Sequence, residues 1–280
     1  MPQGSPVRRR HLVIQLKRLR GEAGLSQEEV SREMGWESGK IIRLEGGKFI
    51  RVNSADIDAL CRLYKASDDL RTELVEIAKA ARQHKPWWFN YKDVAGAFYG
   101  LENEARKIEE FGQGIVPGLY QHPDYIKALM GRGFVTDRGE RQRRIEVRLE
   151  RQRNVLERDE PPQLWTVIDE SALRCQIGGP SVMAEQLRRL VDLIDEQRAG
   201  LQVLPFARGM SQNYSFSLFT FSDNDRVVFV DIPPAGLFFE GDTELTEHDH
   251  SFDHLQAAAL SVAESRQFIA SLVTEYERAA

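Results

Sequence analysis

Between residues 38 and 51 this sequence gathers Ser38, Gly39, Lys40, Arg43, Lys48 and Arg51. Cations on neighbouring turns suit two acceptors. Phosphate oxygens take any cation, whereas the O6/N7 edge of guanine takes a two-pronged arginine. Arg43 has the reach for guanine; Lys40 serves a guanine or a phosphate. Lys48 and Arg51 read as contacts to a phosphate backbone.

Other chemistry finds less support. In Glu247-His-Asp-His-Ser-Phe-Asp-His254, His250 and His254 share a helical face, but no glutamate stands as in His-Glu-x-x-His, so a polar helix start is the better reading. No Gly-x-Ser-x-Gly elbow occurs. Asp169-Glu170 reads as a helix cap, and neither Gly178-Gly179 nor Gly46-Gly47 matches a phosphate-binding loop. Cys61 and Cys175 form no Cys-x-x-Cys pair, which argues against a disulfide framework and a zinc cluster. The sequence therefore predicts no enzyme activity, no cofactor and no metal.

The elements that must carry the cations are short helices. Leu12, Leu16 and Leu19 mark one helix face, which Gly21 and Gly24 end. Ser26 and Glu29 form a capping box that starts a second helix with Val30 and Met34 inward. Gly35 suits a tight turn, and a third helix over residues 37–45 turns Ile41 and Leu44 inward. Asn53 or Ser54 caps a fourth, with Ile57, Leu60, Leu63 and Tyr64 inside; a fifth runs over residues 68–82.

The run Leu16-Lys-Arg-Leu-Arg20, Gly24-Leu-Ser-Gln-Glu-Glu-Val30, Met34-Gly-Trp36 and Ile41-Ile-Arg-Leu-Glu-Gly-Gly47 resembles the Cro/XRE-type helix-turn-helix of phage repressors. The resemblance implies that the third helix enters a DNA major groove and that Gln27 clamps a phosphate. It also implies an internal ion pair between Arg20 and Glu45. Ser38, Gly39, Lys40 and Arg43 are then the groove-facing residues. Three residues depart from the pattern: Gly39 where a polar side chain is common, Ile42 at an often polar position, and the acid Glu37. Arg8-Arg9-Arg10 reads either as a minor-groove arm or as a solvated tail.

Charge fits a division of labour. The 280 residues carry a net charge of −5, yet residues 1–85 hold 17 Lys/Arg against 12 Asp/Glu, and the remainder is acidic. With 41% hydrophobic residues and no run of about 18 apolar residues, the expectation is a soluble cytoplasmic protein without a membrane span or a secretory signal.

Two domains are expected, 8–82 and 83–280. At their junction, His84-Lys-Pro-Trp-Trp-Phe-Asn-Tyr91 reads as packing between head and body. Residues 101–111 are expected as a helix, 112–118 as a turn, and 140–158 as a solvated helix laced with i,i+4 ion pairs. Short strands follow at 163–169, 201–205, 215–222, 226–232 and 236–240, with Asp223-Asn224-Asp225 as a hairpin turn. The fold class is α+β overall: an all-α head of five helices and a body with a mainly antiparallel sheet. Phe216, Phe219, Phe229 and Phe238 read as core, or as the lining of a ligand cavity.

The body resembles a C-terminal domain common in actinobacterial regulators, through Gly114-Ile-Val-Pro-Gly-Leu-Tyr-Gln-His-Pro-Asp-Tyr125, Leu164-Trp-Thr-Val-Ile-Asp-Glu170, Gly178-Gly-Pro180, Leu201-Gln-Val-Leu-Pro-Phe206 and Glu264-Ser-Arg266. Such regulators are described as antitoxin-like. The resemblance implies a dimerising or partner-binding body. The expected partners are double-stranded DNA, a second copy of the chain, and a short protein encoded by an adjacent gene. The leading expectation is a sequence-specific transcriptional regulator; the alternatives are an antitoxin-like interaction protein and a ligand-gated regulator.

Overall fold

Leu12, Leu16 and Leu19 are buried on one face of α1 (Pro6–Glu22), as their spacing requires. The computed structural model describes residues 6–46, 53–83, 96–132, 137–209, 213–221, 225–232 and 236–280. The chain divides into two compact units, Met1–Leu101 and Glu102–Ala280.

In the first unit α1 is followed by α2 (Gln27–Glu33), α3 (Ser38–Glu45), α4 (Ser54–Leu63) and α5 (Asp68–Gln83). The capping box is complete: the Glu29 N–H donates to Ser26 Oγ, and the Ser26 N–H donates to the Glu29 carboxylate at 2.8 Å. That contact holds the Glu29 carboxyl below its usual range. Gly35 turns the chain from α2 into α3 at φ +63°, a conformation that glycine adopts without strain. Asn53 caps α4. Leu12, Leu16, Val30, Ile41, Ile57 and Leu60 meet in one core. Arg8, Arg9 and Arg10 belong to the opening turns of α1, so the run is helical rather than an arm or a loose tail. The aromatic block 84–91 lies outside the described residues.

Among the described residues the second unit is built on six strands: β1 (Lys107–Gly112), β2 (Gln163–Asp169), β3 (Gly200–Leu204), β4 (Phe216–Thr220), β5 (Arg226–Val230) and β6 (Leu237–Phe239). Their spatial order is β3-β2-β1-β4-β5-β6. The sheet is mixed, not mainly antiparallel: β1 pairs with β2, and β2 with β3, in parallel, while β1–β4, β4–β5 and β5–β6 are antiparallel. Parallel neighbours need long crossovers. These are supplied by α7 (Pro123–Arg132) with α8 (Arg138–Leu156), and by α9 (Glu170–Arg174) with α10 (Pro180–Asp195). The expected helix over 101–111 is also corrected: α6 (Gly96–Glu104) stops early, and Lys107–Gly112 is a central strand with Ile108 and Phe111 buried.

On one sheet face, Phe111, Val167, Phe216 and Val228 pack with Phe252 and Leu255 of α11 (Asp242–Ala258). Helix α12 (Val262–Ala279), started by the capping box of Ser261 and Glu264, packs on α10 and β3. Helix α8 is not simply solvated. Arg151 and Glu102 are both buried and pair through two hydrogen bonds. Among the described residues no helix is long and apolar enough to cross a membrane.

Candidate nucleic-acid interface

Helix α3 has two unlike faces. Ile41, Leu44 and Glu45 are buried, while Ile42 is 55% exposed and the Arg43 side chain 58% exposed. The buried face is anchored by a polar network. Arg20 of α1 donates two hydrogen bonds to the Glu45 carboxylate, at 2.7 and 3.0 Å, and a third to the Leu25 carbonyl. The Gln27 side-chain amide donates to the same carboxylate at 2.7 Å. Glu45 thus ties the end of α1 and the start of α2 to the end of α3, and the pairing raises the Arg20 pKa above its usual value. The expected Arg20–Glu45 pair is present; the involvement of Gln27 had no sequence signal.

On the outer face, the Arg43 guanidinium lies over Gly39. A Cβ on Gly39 would stand 2.8 Å from Arg43 Nη1, the far end of a flexible exposed side chain that can move aside. Arg43 Nη2 lies 3.7 Å from the Glu37 carboxylate, a long contact between two exposed groups. Such a pair contributes at most about 1 kcal/mol, so Arg43 can leave Glu37 for a stronger acceptor.

Lys40 differs. Its Nζ is 2.8 Å from Asp56 of α4 and sits 3.8 Å from the Trp36 ring centroid. These contacts tie α3 to α4 and occupy the ammonium within the fold. The structure brings Gly39, Lys40 and Arg43 together on α3. Ser38 opens that helix, with its side chain outside the described residues, and Gln27 faces Glu45. Lys48 and Arg51 lie wholly outside the described residues. Asp56 has no signal in the sequence because it stands far along the chain from Lys40; Trp36, four residues before Lys40, enters only as part of the helix-turn-helix run, and Ile42 only as a departure from the pattern. An exposed isoleucine beside Arg43 can meet a thymine methyl group.

The second unit offers less. In α11 the Asp249 carboxylate takes two hydrogen bonds from Arg226, and buried His248 has Nδ1 2.7 Å from the Glu244 carbonyl. Among the described residues no group of three or more His, Cys, Asp or Glu side chains is placed to hold a metal ion. The phenylalanines expected either in the core or around a cavity are divided: Phe216 and Phe219 are fully buried, and Phe229 and Phe238 pack together at 4.9 Å on β5 and β6.

Comparison with known families gives two matches. A helix-turn-helix domain model matches residues 11–74, and the model of a domain of unknown function (DUF5753) matches residues 95–271. No curated protein and no solved structure matches the chain.

Proposed function

The chain belongs to the family defined by the domain of unknown function (DUF5753), with a helix-turn-helix domain ahead of it, and from that premise we propose a sequence-specific transcriptional regulator that docks α3 in the DNA major groove. The helix-turn-helix domain supports a DNA-binding regulator. The finer reading rests on one observation: the outer face of α3 presents an exposed Arg43 held only by a 3.7 Å contact to Glu37, while Glu45 locks the inner face to α1 and α2.

In this reading Arg43 leaves Glu37 and donates two hydrogen bonds to guanine O6 and N7. Ser38 and Gly39 let the start of α3 approach the base edges. Lys40 reaches a phosphate only by exchanging Asp56 for it, and Lys48 and Arg51 contact the backbone after α3. Gln27, fixed by Glu45, stands at the start of α2 as a phosphate contact. One such module reads few base pairs, so two copies act on one palindromic site, joined through the second unit. That unit also receives the signal, a small molecule or a short protein partner. The regulator works in the cytoplasm, and catalysis has no part in it.

The test is fluorescence anisotropy of the full chain with the duplex upstream of its own gene and with a scrambled duplex, across a salt series. The reading expects a clear preference for the upstream duplex at physiological salt. Weak binding that ignores sequence and vanishes with salt would contradict it.

A further inference from the structure

Helices α8 and α10 stand apart along a cleft of about 680 Å³, within the range of small-molecule sites. Its walls are single helix faces. Leu149, Gln152, Arg153 and Leu156 follow the i, i+3, i+4, i+7 spacing on α8; Glu185, Arg188, Arg189 and Asp192 follow it on α10. His122, which also lines the cleft, ends a segment held by hydrogen bonds to both helices. Gln152 of α8 donates to the carbonyls of Gly118 and Gln121, and Gln186 of α10 donates to that of Tyr120 while accepting from the His122 N–H. Two buried glutamines thereby hold the connecting segment 118–122 between the two helices.

Arg189 is the unusual group here. It is half-buried, and its Nε donates to the Tyr120 carbonyl at 3.2 Å. Among the described residues, that is its one hydrogen bond and it has no ion pair. Burial, with the nearby Arg198 cation adding to it, pushes its pKa below the usual value against the smaller opposing pull of Glu157, Glu196 and Asp192. Arg198 is fixed beside it through a 2.9 Å hydrogen bond to the Leu156 carbonyl at the end of α8. Arg153 adds a third, exposed cation on the opposite wall, also without an ion pair among the described residues.

The cleft has acids too. Arg188 is matched by Glu185 and Glu277. Glu196 lies 3.8 Å from Arg198, and Glu157 and Asp192 complete the set; all three are exposed. Exposed carboxylates keep their hydration, whereas a half-buried guanidinium has given up part of its own and gains most from a counter-ion.

We propose that this cleft is an effector site for a small oxyanion-bearing molecule, with Arg189 and Arg153 gripping its carboxylate or phosphate group and Leu149, Leu156 and Leu193 lining the space for its apolar part. The planar fork of each arginine suits either oxyanion. As an effector site it rests on the proposed function, supplying that regulator's small-molecule signal, and its occupancy is read without DNA.

Isothermal titration of the full chain with inorganic phosphate, and separately with succinate, at fixed ionic strength tests the site. The expected result is saturable binding of at least one probe, weakened about tenfold or more in Arg189→Gln and in Arg153→Gln. Lys79→Gln, in the other unit, removes the same charge and should leave binding unchanged. Phosphate alone binding identifies a phosphate group as the ligand's anchor, and succinate alone a carboxylate. Because Arg153 is exposed and makes no bond that the fold uses, its variant keeps the test valid if Arg189→Gln unfolds. No saturable binding of either probe, or equal affinity in wild type and Arg153→Gln, would overturn the proposal.

Discussion

Glu45 and Glu102 are both buried carboxylates bound by an arginine, one in each unit, yet their surroundings differ. Glu45 is 1% exposed, but Arg20 and Gln27, which bind it, remain partly open to water. Glu102 meets Arg151, and that pair is buried from both sides. The first arrangement fixes the pitch of α3 while its other face stays free for a partner. The second gives up hydration on two ions to join Glu102 of α6 to Arg151 of α8. A network with one wet side is a mount for a working surface; a dry pair is a structural pin.

The sharpest break of this contrast is Arg151→Met. It strands the Glu102 charge in the interior and should cost about 3–5 kcal/mol of stability in denaturant unfolding. A loss under about 1 kcal/mol would mean that the pair is not dry. Glu45→Ala should cost less, about 1–3 kcal/mol, because Arg20 can turn to solvent. Its mark should be faster hydrogen exchange in α2 and α3, with the sheet of the second unit unaffected.

A pH series sharpens the same contrast. Glu110 of β1, near Arg151 and Glu102, has its carboxyl pushed up to about 8 by burial. An acid whose folded pKa is raised adds its full stability below the unfolded pKa, and loses it as pH rises towards the folded one. Glu110→Gln should therefore gain on wild type in melting temperature between pH 5 and pH 8. A constant difference across that range would count against a raised pKa. The smallest effect expected is in the first unit: Lys48→Ala should lower the slope of log affinity against log salt by about one. An unchanged slope would remove Lys48 from the phosphate contacts.

What could be read from the sequence follows the same division. The inward positions Ile41 and Leu44, the capping boxes at Ser26 and Ser261, and the Arg20–Glu45 pair depend on local spacing or on a recurring motif. The pins of the second unit do not: Arg151 finds Glu102 at a separation of 49 residues, which no periodicity announces. Strand β1 was hidden because Lys107-Ile-Glu-Glu-Phe-Gly112 sets two glutamates side by side. Its place at the centre of the sheet comes from pairing with β2 and β4, both distant in the chain. The β1–β2 pair became invisible once that strand read as helix, whereas β2 and β3 were both expected as strands and only their parallel pairing was missed. In the first unit the role of Asp56 was missed for a related reason. It matters through what another side chain, Lys40, does.

The central claim is that the outer face of α3 reads bases. Its most direct test compares wild type with Arg43→Ala by fluorescence anisotropy, on the duplex upstream of the gene and on scrambled duplex, at one salt concentration. The account predicts a loss of about 1–3 kcal/mol on the upstream duplex and little change on the scrambled one. Equal losses on both would make Arg43 a phosphate contact and contradict the claim.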